Sequence, residues 1–201
     1  MSTIKVDTIA TRTGSGNITA SNTIAGTSAT LSGTLTSTGL ITASAGVAIG
    51  GTGSANTLDD YEEGTFTPVL ADASSGGTAA SITSAMGDYT KVGNLVFVNI
   101  VFVNINTSGL TSSNQVYVTG LPFVSKTRTL SGANISQHFV IRGDQLNVSS
   151  DCYGLVGVAV SGGSHLQVNE NRDNVADSAF TIAGIVATTA DMFISGCYIA
   201  D

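Results

Sequence analysis

Charge is scarce in this chain. Asp, Glu, Lys and Arg make up 10% of its 201 residues, against roughly 25% in an average soluble domain. Seven Lys and Arg stand against fourteen Asp and Glu, a formal net charge of −7. Cations this few, spread along the chain, cannot build a phosphate-binding surface, so nucleic acid is excluded as an expected partner. Trp is absent and aromatics are 6%. No apolar run approaches the ~20 residues of a membrane helix, which argues against membrane insertion. Met1-Ser2-Thr3-Ile4-Lys5-Val6 shows no signal-peptide apolar region, so synthesis in a cytoplasm is expected. The two cysteines, Cys152 and Cys197, make neither a zinc cluster nor a disulfide framework. They read as reduced thiols that pack like small apolar side chains.

Acid–base chemistry is equally thin. The two histidines are His138 and His165, and neither lies in a Gly-x-Ser-x-Gly or Cys–His context. Phosphate-loop, dinucleotide and His-Glu-x-x-His patterns are missing. The one dense carboxylate group, Asp59, Asp60, Glu62 and Glu63, is too close in sequence to serve as a glycosidase pair across a cleft. Its spacing does not match an EF-hand loop either. The expectation is a protein that is not an enzyme, with no catalytic residues, no metal ligands and no cofactor.

What the chain does have is β-branched, small and polar residues arranged in three regions. Residues 1–12 read as an extended arm, with Ile4-Lys5-Val6-Asp7 alternating at period two. Residues 13–58 contain no Asp, Glu, Lys or Arg, and glycines recur at 26, 33, 39 and 46. Short pieces such as Thr30-Leu31, Thr34-Leu35, Leu40-Ile41 and Val47-Ala48-Ile49 suit brief strands between Gly or Ser turns. Each piece offers too few apolar groups for a core within one chain. Three identical chains around one axis could bring each Ile or Leu onto its own copies, which predicts a trimeric β shaft; a flexible Gly/Ser/Thr linker is the alternative.

Residues 59–201 read as an all-β head of roughly nine strands, a β-sandwich of jelly-roll-like type. The expected strands include Phe66 to Leu70, Leu95 to Ile105, Val116 to Leu121, Phe139 to Ile141, Tyr153 to Val160, His165 to Val168, Phe180 to Val186 and Met192 to Ile199. In the run from Leu95 to Ile105 both alternating sets are apolar. One contains Leu95, Phe97, Val101, Val103 and Ile105; the other Val96, Val98, Ile100 and Phe102. A strand buried on both faces needs cover on both, and a neighbouring subunit can supply the second.

Four stretches carry a family likeness. They are Asp60-Tyr61-Glu62-Glu63-Gly64-Thr65-Phe66-Thr67-Pro68, Gly87-Asp88-Tyr89-Thr90-Lys91-Val92-Gly93-Asn94, Thr119-Gly120-Leu121-Pro122-Phe123 and Ile194-Ser195-Gly196-Cys197-Tyr198-Ile199. In this order, over residues 58–201, they resemble the C-terminal domains of bacteriophage tail-fibre and related virion fibre proteins. The opening Ser2-Thr3-Ile4-Lys5-Val6-Asp7-Thr8-Ile9 is similar to the start of short phage fibre proteins. The resemblance implies a homotrimeric, non-enzymatic fibre on the head, collar or tail of a virion. Its N-terminal arm would dock on another virion protein, and its C-terminal domain would face the host surface, with polysaccharide as the target. The loops Ala71–Ala80, Arg142–Asp151 and Asn169–Asp177 are the places to look for attachment. A capsid or tail decoration protein that binds no host is the alternative.

Asp59, Asp60, Tyr61, Glu62, Glu63, Gly64 and Phe66 form the expected neck between shaft and head. Like charges this close prefer water, so the carboxylates read as a solvated collar, with a bound cation as the alternative. Tyr61 and Phe66 are the expected packed residues, and Gly64 the expected turn from rod into domain.

Overall fold

The densest β-branched run of the chain forms its longest strand, because branched side chains fit a pleated surface. Around it, the computed structural model describes residues 30–173 and 175–201. The expected arm (1–12) and the first part of the expected shaft (13–29) lie outside the described residues. The chain divides into two units, one ending at Thr42 and one running Ala43–Asp201. In the first, residues 30–42 contain no strand, and Leu31, Leu35, Leu40 and Ile41 are exposed.

The second unit is all β apart from two short 3-10 turns. It opens with a small hairpin of β1 (Val47–Ala48) and β2 (Thr57–Leu58). The strands that follow are β3 (Tyr61–Phe66), β4 (Val69–Ala71), β5 (Ser81–Val92), β6 (Leu95–Asn106) and β7 (Tyr117–Thr119). A second exposed hairpin, β8 (Thr129–Leu130) with β9 (Ala133–Asn134), stands apart from the sheet. Then come β10 (Gln137–Asp144), β11 (Cys152–Ala159), β12 (His165–Arg172), β13 (Ser178–Ala179) and β14 (Ala190–Ile199). All pairings are antiparallel, and the main sheet runs β3-β5-β6-β14-β10-β11-β12-β7-β4, with β13 on β12.

One connection dictates the shape of this sheet. β3 and β4 are its two ends, yet only Thr67 and Pro68 separate them. Eight gaps at about 4.8 Å would put the ends about 38 Å apart in a flat sheet. Phe66 to Val69 can span at most about 11 Å. The sheet must therefore curl until its ends meet, and its inner face becomes the core. Leu70, Val98, Phe102, Phe139, Leu166, Val168, Ile194 and Tyr198 are all buried there in a single cluster. The strands follow one continuous path, where the sequence suggested two facing sheets, because this link joins its two ends.

Other differences have local causes. The strand expected from Phe66 to Leu70 is broken at Pro68, which has no N–H for a ladder, and becomes β3 and β4. β5 was not expected as a separate long strand, since its inner positions include Gly87 and Lys91 rather than apolar residues. Its signal was the Gly93–Asn94 pair, a two-residue hairpin loop with Gly93 at φ +58, as a II′ turn needs. The stretch Phe180 to Val186 is no strand but the 3-10 turn Ile182–Gly184. Arg142–Asp144 and Asn169–Arg172, read as loop, extend β10 and β12.

β6 is buried on one face only within this chain. Val96, Val98, Ile100 and Phe102 point inward, while Leu95 and Phe97 are each 45% exposed. Ile105 lies on the buried side, not with Leu95 and Phe97 as strict alternation predicts. Asn104, at φ +54, interrupts the alternation, a left-handed conformation that Asn tolerates better than branched residues. Its backbone N–H donates to the Asp191 carboxylate at 2.8 Å.

The closed seam yields the first prediction. A Cβ at Gly87 would lie 2.6 Å from the Phe66 ring. Gly87→Ala is expected to cost about 1–3 kcal/mol through overpacking, measured as a lower urea midpoint. The same substitution made in a Phe66→Ala background should cost clearly less, since the ring it strikes is gone.

Candidate functional site

The four stretches that carry the family likeness meet in space. Phe66 from the first packs over Gly87 of the second, with the Phe66 and Tyr89 rings 6.5 Å apart. Tyr89 meets Phe123 of the third edge-on at 5.3 Å, and the Lys91 ammonium lies 5.4 Å from the Phe123 ring centre. Tyr198 of the fourth donates its hydroxyl hydrogen to the Phe123 carbonyl at 3.0 Å and accepts the Phe123 N–H at 3.2 Å. Burial pushes the Tyr198 phenol up to about 12. Gly120, at φ +83, passes the carbonyl of Thr67 so closely that a Cβ would sit 3.0 Å from it. The motifs thus form the lock that closes the curled sheet. Phe66, Tyr89, Lys91, Phe123 and Tyr198 face the core and the seam.

The expected neck residues take part in this lock in ways alternation decides. Asp60 pairs with the buried Lys91, and the Tyr89 hydroxyl donates to the Glu62 carboxylate. That bond raises the Tyr89 phenol above its usual range. Glu63 lies on the other face and accepts the Tyr61 hydroxyl at 2.8 Å, which raises the Tyr61 phenol. Because the pleat sends alternate residues to opposite faces, the carboxylates do not converge. Among the described residues no group of three or more His, Cys, Asp or Glu is placed to hold a metal ion.

Two expected roles change here. Gly64 is not a turn: it lies within β3 opposite Tyr89, where a Cβ would stand 3.0 Å from that ring. Tyr61 is not packed but exposed, whereas Phe66 does pack against the core. Asp59, Asp60, Glu62 and Glu63 are all exposed.

Of the three loops expected to matter, two come together. Asp151 grips the Arg172 guanidinium, with both carboxylate oxygens 3.0 Å from Nε. This hydrogen bond holds the Asp151 carboxyl below, and the Arg172 guanidinium above, their usual ranges. Glu170, buried, accepts the Ser149 N–H at 3.0 Å, the Ser149 hydroxyl, and the Ser178 hydroxyl at 3.4 Å. The loop after β10 and the end of β12 are thereby clamped together. The loop 72–80 is organised separately by Asp72, which accepts the backbone N–H of Thr78 at 2.7 Å and of Thr111 at 2.9 Å. Those bonds, Thr111 first, lower its pKa.

His165 stacks edge-on against Tyr117 at 5.8 Å, and burial lowers its pKa. His138 lies opposite Val158 on the outer face. Cys152 is partly buried and Cys197 is exposed. The outer face also carries what sequence reading placed least well: an apolar band across β5, β6, β14 and β10. Met86 pairs with Val101 and Val101 with Phe193; Phe97 pairs with Cys197, and Leu95 with both Val92 and Ile199. Val140, 73% exposed, continues the band. The Arg142 guanidinium sits 5.2 Å from the Phe193 ring centre at its border. No helix among the described residues is long and apolar enough to cross a membrane.

Two predictions follow from these contacts. Asp60→Ala leaves the Lys91 ammonium buried without its partner. Asp60 is half exposed and water screens the pair, so the expected cost is about 1–3 kcal/mol. Adding Lys91→Met should recover most of that loss in a urea titration. Asp72 and Asp151 have folded pKa values below their unfolded ones. Their contribution is full above about pH 4 and is lost as pH falls through the lower folded values. The thermal midpoint of the wild type should fall with pH in that window, and less steeply in Asp151→Asn, which starts lower at pH 7.

No protein-family model matches the chain, and no curated protein matches it in sequence. Among solved structures, the chain is similar in fold to the crystal structure of the Dettilon tailspike protein (gp208), with a TM-score of 0.52 and 17% sequence identity. The match covers 70% of this chain and 24% of that one, so the chain corresponds to about a quarter of the tailspike's length. The curled all-β architecture of this chain is thus a fold also found within a phage tailspike protein.

Proposed function

We propose that the chain is a structural fibre of a bacteriophage virion, made in the host cytoplasm, that assembles as a homotrimer and attaches the particle to surface polysaccharide of the host cell. The fold shared with part of a tailspike protein carries this reading, and the four motifs are consistent with it. On this reading it has no catalytic residues and no cofactor. Its N-terminal arm docks on another virion protein, and neither nucleic acid nor membrane is a partner.

The trimer draws support from apolar surface that one chain leaves in water. Leu31, Leu35, Leu40 and Ile41 precede the head, and Leu95, Phe97 and Met86 lie on its outer face, all exposed. Apolar side chains grouped on one exposed face, as on β5 and β6, mark association sites. The same face is nearly uncharged, with Asp88 the acidic residue within its central rows, so copies of one chain can meet there with little like-charge repulsion. In the proposed arrangement β5, β6 and β14 pack against neighbouring copies, leaving the β10–β12 side toward solvent.

Light scattering of the purified chain should give a mass of three protomers, resistant to SDS until boiled. Phe97→Glu places a charge in the proposed interface without touching the core, so it should yield monomers with unchanged far-UV circular dichroism. A monomeric wild type would overturn the architecture. Binding of the trimer to host cells tests adhesion. Particles that lack the chain, lose mechanical stability and still adsorb normally would establish the decoration role in its place.

A further inference from the structure

We infer that the groove on the outer faces of β10, β11 and β12 is a binding site for neutral hexose-type saccharide, formed by Tyr153 against Val156 and Val158 and rimmed by Asn171 and Asp177. This inference rests on the adhesion reading above and gives it a location.

Tyr153 is placed by a backbone irregularity. Cys152 pairs with Arg172 and Gly154 with Asn171, so Tyr153 is the extra residue of a β-bulge. A bulge re-aims a side chain out of the regular ladder. Here it leaves a large ring 72% exposed. The ring borders a groove of about 350 Å³ whose floor is Val156 and Val158, within the ~300–1,000 Å³ of small-molecule sites. Asn169, Asn171 and Asp177 stand along one wall, and Ser136 and His138 complete the other.

The polar wall is held in place before any ligand arrives. Asn169 Oδ1 accepts a hydrogen bond from Gln115 Nε2 at 2.6 Å, which leaves its NH2 hydrogens as donors. Asp177 Oδ1 accepts the Arg172 N–H at 3.2 Å, and Asp151 clamps the Arg172 side chain. A prearranged site loses less ordering free energy on binding.

These groups match the two chemistries of a sugar ring. The C–H face of a pyranose is apolar and packs on an aromatic ring and branched aliphatic side chains. Its hydroxyl rim needs both donors and acceptors, which amide, carboxylate, hydroxyl and imidazole groups supply. The Asp177 carboxylate in the wall and the net charge of −7 disfavour uronate or phosphate-bearing chains, which points to neutral sugars. The larger groove beside Glu170, about 470 Å³, is a weaker candidate. Its carboxylate is already engaged by Ser149 and Ser178.

The test applies the full-length protein to an array of neutral oligosaccharides built from glucose, galactose, mannose and N-acetylglucosamine, followed by calorimetry on the best binder. Tyr153→Ala should weaken binding about tenfold, the loss of one stacking contact. Asn171→Ala should weaken it as well, and Tyr153→Phe should bind nearly as the wild type does. Tyr153 is exposed, so both Tyr153 variants should melt with the wild type. Wild-type affinity in both alanine variants would overturn the groove and leave adhesion standing. Failure to bind any neutral saccharide, with host-cell binding intact, would overturn the inference alone. Loss of both would overturn the adhesion reading with it.

Discussion

The link Thr67–Pro68 governs the head of this protein. It ties together the two ends of a nine-strand path, and no flat sheet can satisfy so short a tether. Pro68 also lacks the N–H that would extend a ladder. The edges meet without pairing to each other among the described residues, and side chains must hold them. That is the work of Phe66, Tyr89, Lys91, Phe123 and Tyr198. A buried ammonium, two aromatic contacts and a phenol bonded to backbone on both its donor and acceptor sides bring four stretches to one seam.

This lock separates architecture from contact. Within the recognisable stretches, Phe66, Tyr89, Lys91, Phe123 and Tyr198 face inward and hold the curl. The outer face is left to two different surfaces. One is the apolar band on β5, β6 and β14, nearly free of charge. The other lies on β10 to β12, where a bulge, amides and a carboxylate border a small groove. The first has the chemistry of subunit association. The second has the mixed apolar and polar chemistry of a small-ligand site. The Asp151–Arg172 pair and the buried Glu170 connect the loops behind that groove, so its wall is part of the packed unit.

Local composition made much of this legible. Branched residues identified β6, and Pro68 marked a sheet edge. β5 was not legible as a long strand, because its inner positions hold Gly87 and Lys91, which become core-compatible only beneath Phe66 and beside Asp60 and Phe123. Gly64 looked like a turn, since glycine in isolation usually signals one. Its need arises from Tyr89, a residue far along the chain. The groove on β10 to β12 was legible only in part: the loops Arg142–Asp151 and Asn169–Asp177 were candidates, but Tyr153 carried no local mark, since a bulge is a property of two paired strands.

By itself, then, the sequence determined that the chain is all β, poor in charge and built around one long β-branched strand. These follow from side-chain shape and alternation, which act between near neighbours. Tertiary structure alone decided that the sheet curls into one continuous path, that carboxylates adjacent in sequence separate to opposite faces, and which apolar residues stay in water. Those outcomes depend on pairing register and on a tether between the sheet's ends, and both are contacts between residues far apart in the chain.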